Sequence, residues 1–254
     1  EIAQRNAENG RKFGEYLKEL TEQYQIAYIE LDRDLELDKV CDIFTQINSR
    51  GIRLDVFDLI NALLVPKSLQ LRKMWDAAKP RLSFVETDRM NVYVLQVMSI
   101  LRQAYCSPKY LYYLLPGQER QIRGSDGSLR KEILIPNAKD FEKRWTQAIE
   151  HLEYSIKLLK HPQEYGAIAS QYLPYVSILP AFAALQASVK ERPASTRLDA
   201  QRKVRQWYWA SVFTKRYSGA VESTTTRDFL DVKGWFDDDI FEPALISEFR
   251  ERFR

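Results

Sequence analysis

Glycine is the residue whose scarcity most constrains this chain: it occurs nine times in 254 positions, about half of the ordinary usage of roughly 7%. Tight β-turns and short hairpins rely on glycine for backbone conformations that other residues resist. A fold assembled from many hairpins is therefore excluded, and helices are expected. The apolar fraction of 45% and aromatic fraction of 12% are ample for a core and rule out wholesale disorder. At roughly 150 residues per domain, the length suits one large domain or two modest ones.

Charge and cysteine narrow the function classes. The formal net charge is +3, too small by itself to imply a nucleic-acid partner. Cys41 and Cys106 cannot make a disulfide framework and lack CxxC spacing for a metal, which fits a reduced, cytoplasmic setting. No apolar run approaches the roughly 18 residues that would suggest a membrane span, so no membrane partner is expected. The first residues carry no apolar signal region and no initiator Met, so the chain reads as a piece of something longer.

The periodicities give a mainly α, multi-helix, bundle-like fold with a small β element. Phe13, Tyr16, Leu17, Leu20 and Tyr24 lie on one face of a first helix. Residues 25–31 alternate and are rich in β-formers, which reads as a strand. A helix over about Leu37–Asn48 ends at Gly51, which suits a left-handed C-cap, and Asp55 would cap the next, Val56–Val65, with Asp58 in its first turn. Further helices are expected near Ser68–Ala78, over Met90–Tyr105, over Asn137–Lys160, over Arg197–Thr214 and near Phe241–Phe253. Tyr172–Val189 reads as two short buried helices or one kinked helix, with Pro174 and Pro180 inside. The hairpin near 118–135, between Pro116 and Pro136, is expected to turn at Gly124-Ser125-Asp126-Gly127.

Several chemistries find no support. His151 and His161 have no HxxxH or HExxH partner, and no carboxylates sit at ligand spacing, so no metal site is expected. Neither GxxxxGK[ST] nor GxGxxG occurs. Two constellations remain. The turn Asn48-Ser49-Arg50-Gly51, with Arg53, presents an amide, a hydroxyl and two guanidiniums able to bind phosphate or carboxylate; the alternative is an ordinary αα-corner in which Asn48 and Asp58 only cap helix ends. Arg197, Arg202, Lys203, Arg205, Lys215 and Arg216 give a net charge of +5 over residues 197–216, interleaved with Trp207, Tyr208, Trp209, Phe213 and Tyr217. Such a mixture can neutralise phosphates and stack bases. It also fits an amphipathic helix with solvated charges and a buried aromatic face, with Arg216-Tyr217 anchoring a loop to a carboxylate.

The spacing of Phe44, Asn48, Gly51, Leu54, Asp58 and Leu59 resembles a signature of the GmrSD restriction endonuclease N-terminal domain family. Tyr172–Leu185, Trp207-Tyr208-Trp209 and Lys215-Arg216-Tyr217-Ser218 look like the same family, so the likeness runs over about residues 11–235. The resemblance implies a ParB/sulfiredoxin-like nucleotide-binding part followed by a helical part. In that family the N-terminal domain hydrolyses NTP and helps sense modified DNA, and an HNH-type domain cuts. The resemblance places the end of the nucleotide-binding part in residues 1–65 and the helical region in 66–254. It implies a nucleotide pocket involving Asn48, Ser49, Arg50, Gly51 and Arg53, with Phe44, Leu54 and Asp58 in structural roles. It also implies an NTP cofactor in the intact protein, DNA as a partner and a nuclease domain or subunit. The family's Asp-Gly-Gln-Gln-Arg run is missing; Asp126–Arg130 spells part of it, without the glutamines and on the wrong side of Asn48. The expected role is the helical part of an NTP-dependent, modified-DNA-sensing restriction protein of bacterial defence. The alternative is a helical protein-interaction or nucleic-acid-binding module with no catalytic role.

Overall fold

The computed structural model describes residues 2–23, 55–123 and 127–253, together with isolated positions between 30 and 43. The expected strand at 25–31 falls almost wholly outside the described residues. So does most of the expected 37–48 helix, of which Lys39, Val40 and Ile43 are described and helical. The chain divides into two compact units, Glu1–Val40 and Cys41–Arg254.

The first unit is carried by α1 (Ile2–Gln23). Glu8 with Lys12, Arg11 with Glu15 and Lys18 with Glu22 form i,i+4 ion pairs along it, the spacing that places charges on adjacent turns. Phe13 and Tyr16 are exposed.

Among its described residues, the second unit is helical apart from one hairpin and the turns between elements. In chain order its helices are α2 (Val56–Leu64), α3 (Leu71–Ala78), α4 (Met90–Gln103), the single turn α5 (Pro108–Leu111), α6 (Ala138–Lys160), α7 (Leu179–Glu191), α8 (Ala194–Phe213), α9 (Val221–Asp237) and α10 (Ala244–Arg252). Their ends follow local chemistry. The Asp55 side chain accepts from the Phe57 N–H and caps α2, with Asp58 in the first turn, where negative charge opposes the exposed N–H dipoles. Pro66 follows in a short 3-10 turn, Val65–Lys67. Asn137 caps α6 by accepting from the Asp140 N–H at 3.0 Å, and Lys157 and Lys160 sit in its last turn.

The core is organised around α7. Every residue from Leu179 to Val189 is buried, and α7 packs against α4, α6, α8 and α9. A helix apolar on all sides belongs at the centre of a bundle, and Ala181, Ala183, Ala184 and Ala187 let its neighbours approach closely. The two prolines expected inside one long or broken helix are resolved differently: Pro180 occupies the first turn of α7, where its missing N–H costs nothing. Pro174 lies between two 3-10 turns, Ser170–Tyr172 and Val176–Ile178. α4 is also buried nearly all round.

β1 (Glu119–Arg123) and β2 (Leu129–Ile133) pair antiparallel, with Glu119 opposite Ile133 and Arg123 opposite Leu129. This is the hairpin expected between Pro116 and Pro136. Arg120 locks it to the bundle. It bonds Glu132 across the strands at 2.5 and 2.9 Å and donates to Gln103 Oε1 on α4 at 2.5 Å.

Candidate nucleic-acid interface

The last turns of α8, the loop after it and α9 meet at one buried carboxylate. Asp228 on α9 accepts from Trp207 Nε1 at 2.9 Å and from the Tyr217 hydroxyl at 3.0 Å, both on Oδ2. Arg216 closes on its Oδ1 through Nε at 2.8 Å and Nη2 at 2.7 Å. A buried carboxylate is tolerated when its lone pairs are filled and its charge is matched, and here three partners do both. Burial works against the charged guanidinium of Arg216, yet the bonds to Asp228 outweigh it and raise its pKa. Burial, reinforced by Asp228, pushes the Tyr217 phenol well above its usual range. The Tyr217 carbonyl accepts from Ser177 Oγ at 3.0 Å, which ties the loop to the segment entering α7.

Lys203 is a second inward-facing cation, 3% exposed. Its ammonium donates to the Trp235 carbonyl at 2.6 Å and meets Asp239 at 2.8 Å and Asp199 at 3.0 Å. Burial opposes its charge, but the two carboxylates prevail and its pKa is raised. Lys203 and Arg216 thus join α8 to α9 and the segment beyond it.

With those contacts inside, the opposite face of α8 is set. Arg202, Arg205, Gln206, Trp209 and Phe213 follow i, i+3, i+4, i+7 and i+11 and face away from α7 and α9. α10 lies against α8 and answers with Ile246, Phe249, Arg250 and Phe253 at the same spacing. Between them lies a cleft of about 330 Å³ lined by Arg202, Arg205, Gln206, Trp209, Ile246, Phe249 and Arg250. Aromatic rings continue along its edge: Trp209 to Phe213 at 6.0 Å, Phe213 to Phe249 at 5.9 Å and Phe249 to Phe253 at 5.0 Å between centroids. Phe213 and Phe253 are more than half exposed, at 53% and 54%.

Each guanidinium of the cleft has a carboxylate partner at the rim. Arg202 meets Asp199 at 2.5 Å, Arg205 meets Glu164, and Arg250 grips Glu242 through two bonds of 2.8 Å. Hydrogen bonds from Arg202 and then Lys203 hold the Asp199 carboxyl below its usual range. Exposed pairs of this kind contribute about 0–1 kcal/mol, so an incoming phosphate can replace the carboxylate at small cost.

The six basic residues singled out in the sequence therefore separate. Arg202 and Arg205 line the cleft; Lys203 and Arg216 face the interior. Arg197 lies near the start of α8, donating to the Arg192 carbonyl at 2.9 Å, and Lys215 is exposed in the loop after the helix, at φ +57°. Arg250 and Phe249 were not anticipated, because they reach the cleft from a helix some forty residues further along the chain.

Of the other singled-out positions, Phe44, Asn48, Ser49, Arg50, Gly51, Arg53 and Leu54 lie outside the described residues. Asp58 is described: its carboxylate pairs with Arg72 on α3, whose backbone N–H donates to Asn61 Oδ1 at 3.0 Å. Among the described residues, no group of three His, Cys, Asp or Glu is placed to hold a metal, and no helix is long and apolar enough to cross a membrane.

The family model of the GmrSD restriction endonuclease, N-terminal domain, matches residues 2–65. Over those residues the chain is similar to a segment of the GmrSD N-terminal domain. That GmrSD segment contains the whole Phe44–Leu59 spacing and ends just past α2, so the α8–α10 cleft lies beyond it. An uncharacterized protein of Methanocaldococcus jannaschii, MJ0686, is 25% identical over 218 residues, covering 84% of this chain and 33% of that protein. The chain thus spans about a third of that relative's length. No solved structure matches.

Proposed function

We propose that this chain is the helical part of a GmrSD-like, NTP-dependent restriction protein that senses modified DNA in defence, and that it touches nucleic acid along α8 and α10. The observation that carries the reading is the cleft in which Arg202, Arg205 and Arg250 surround Trp209 and Phe249. Guanidiniums neutralise phosphates and release their counterions, while the rings offer faces on which bases stack. Arg197, near the start of α8, and Lys215, just past its end, add positive charge outside the cleft lining. Lys203 and Arg216 act indirectly, by fixing the helix that bears the contacts.

The nucleotide belongs to the other constellation. Asn48, Ser49, Arg50, Gly51 and Arg53 form one wall of an NTP pocket in the intact protein, supported by Phe44, Leu54 and Asp58. The support is their spacing and its position inside the segment matched by the restriction endonuclease family. Nucleotide bound there shifts the helical region, which in turn controls a nuclease domain or subunit. Asn48→Ala is expected to weaken NTP binding by the intact protein; unchanged affinity removes the turn from the pocket.

For the cleft, the test is a salt titration of DNA binding by the chain. Affinity should fall steeply with added salt, and Arg202→Glu with Arg205→Glu should abolish it. The exposed rings of Phe213 and Phe253 favour one competing reading, a helical protein-interaction module. That reading predicts that the double charge reversal leaves every activity intact.

A further inference from the structure

We infer that the α8–α10 cleft receives one unpaired nucleotide, in a single strand or turned out of a duplex, with its base against Trp209 and Phe249 and its phosphates on Arg202, Arg205 and Arg250. This rests on the nucleic-acid reading of the same surface and specifies what enters it. The lining has the three kinds of surface such a ligand requires. Trp209 and Phe249 supply flat apolar faces, and Ile246 adds apolar floor. Gln206 supplies a donor and an acceptor for a base edge. The three guanidiniums supply charge for phosphate. No carboxylate is part of the lining.

Two other clefts of similar size lack this combination. One, of about 350 Å³ between α3 and α6, sets Glu142 beside Arg81. The other, of about 360 Å³ beside α9, is lined by Asp231 and Glu242 with no cation to bind a phosphate. The size of the cleft suits a small ligand. About 330 Å³ sits at the lower end of small-ligand sites, which run roughly 300–1,000 Å³. A base within a duplex has both faces covered by its neighbours, so it cannot lie on Trp209 or Phe249 until it leaves the stack.

The experiment places 2-aminopurine centrally in a single strand and in the matching duplex, and follows its fluorescence and the affinity on adding the chain. The expected result is quenching with the single strand, which binds more tightly than the duplex. Phe249→Leu should weaken single-strand binding on the order of ten-fold, and duplex binding by less, because only a base that has left the stack reaches the ring. Quenching by the unaltered chain is informative even if that variant fails to fold. Equal affinities with unchanged fluorescence would overturn the unpaired-nucleotide site and leave the duplex-contact reading standing. No binding of either oligonucleotide would overturn both.

Discussion

Trp207 Nε1 and Asp228 Oδ2 are joined by a 2.9 Å hydrogen bond in the buried interior, linking α8 to α9. The same carboxylate takes Tyr217 and Arg216, so one side chain satisfies an indole, a phenol and a guanidinium. Removing it strands all three. Asp228→Ala is expected to destabilise the chain by about 3–5 kcal/mol, the range for breaking a buried ion pair from one side. Asp228→Asn keeps an acceptor for Trp207 and should cost less. Chemical denaturation of the two variants checks the order; equal and small losses would show that the carboxylate is not the keystone.

Ala104 ends α4 at φ +66°, its N–H reaching the Ile100 carbonyl at 2.9 Å. This left-handed position disfavours a Cβ and is usually given to glycine. Ala104→Gly should therefore stabilise the chain by about 1 kcal/mol, read as a higher melting temperature. A lower melting temperature would mean that the alanine methyl is worth more in packing than its backbone costs.

His151 on α6 has its pKa lowered from the ordinary 6.5, by burial first and by Lys190 second, with Glu191 and Glu150 opposing. The folded protein thus prefers the neutral ring. Its contribution to stability is full above pH 6.5 and declines as pH falls through the lower folded value, because the unfolded chain binds the proton first. The melting temperature should drop more between pH 7.5 and pH 5 for the native chain than for His151→Gln. Parallel profiles would contradict this.

Where local chemistry decides structure, the elements could be read from the residues. Asn137 and the apolar stripe Phe141, Trp145, Ile149, Leu152 announce α6, and the Gly-bracketed polar segment announces the hairpin. Helix α9 gave a weaker signal. Ser223-Thr224-Thr225-Thr226 are poor helix formers, and the apolar period is carried late, by Phe229, Val232, Trp235 and Phe236. That helix brings Asp228, the partner that turns Arg216 inward. A run of six cations on one stretch cannot by itself reveal which face the core and which face water. That division is set by carboxylates on other elements: Asp228 claims Arg216, and Asp239 shares Lys203 with Asp199 from within α8. Arg250 and Phe249 complete the cleft from α10, a pairing made by tertiary packing with no local spacing to betray it.

The most direct measurement is photocrosslinking of the chain to a single-stranded oligonucleotide carrying 5-iodouracil, with the adducts mapped by peptide mass spectrometry. The account predicts adducts on Trp209 or Phe249, lost on Arg202→Glu with Arg205→Glu. Adducts confined to the hairpin or to α1, or binding with none on α8 and α10, would contradict it.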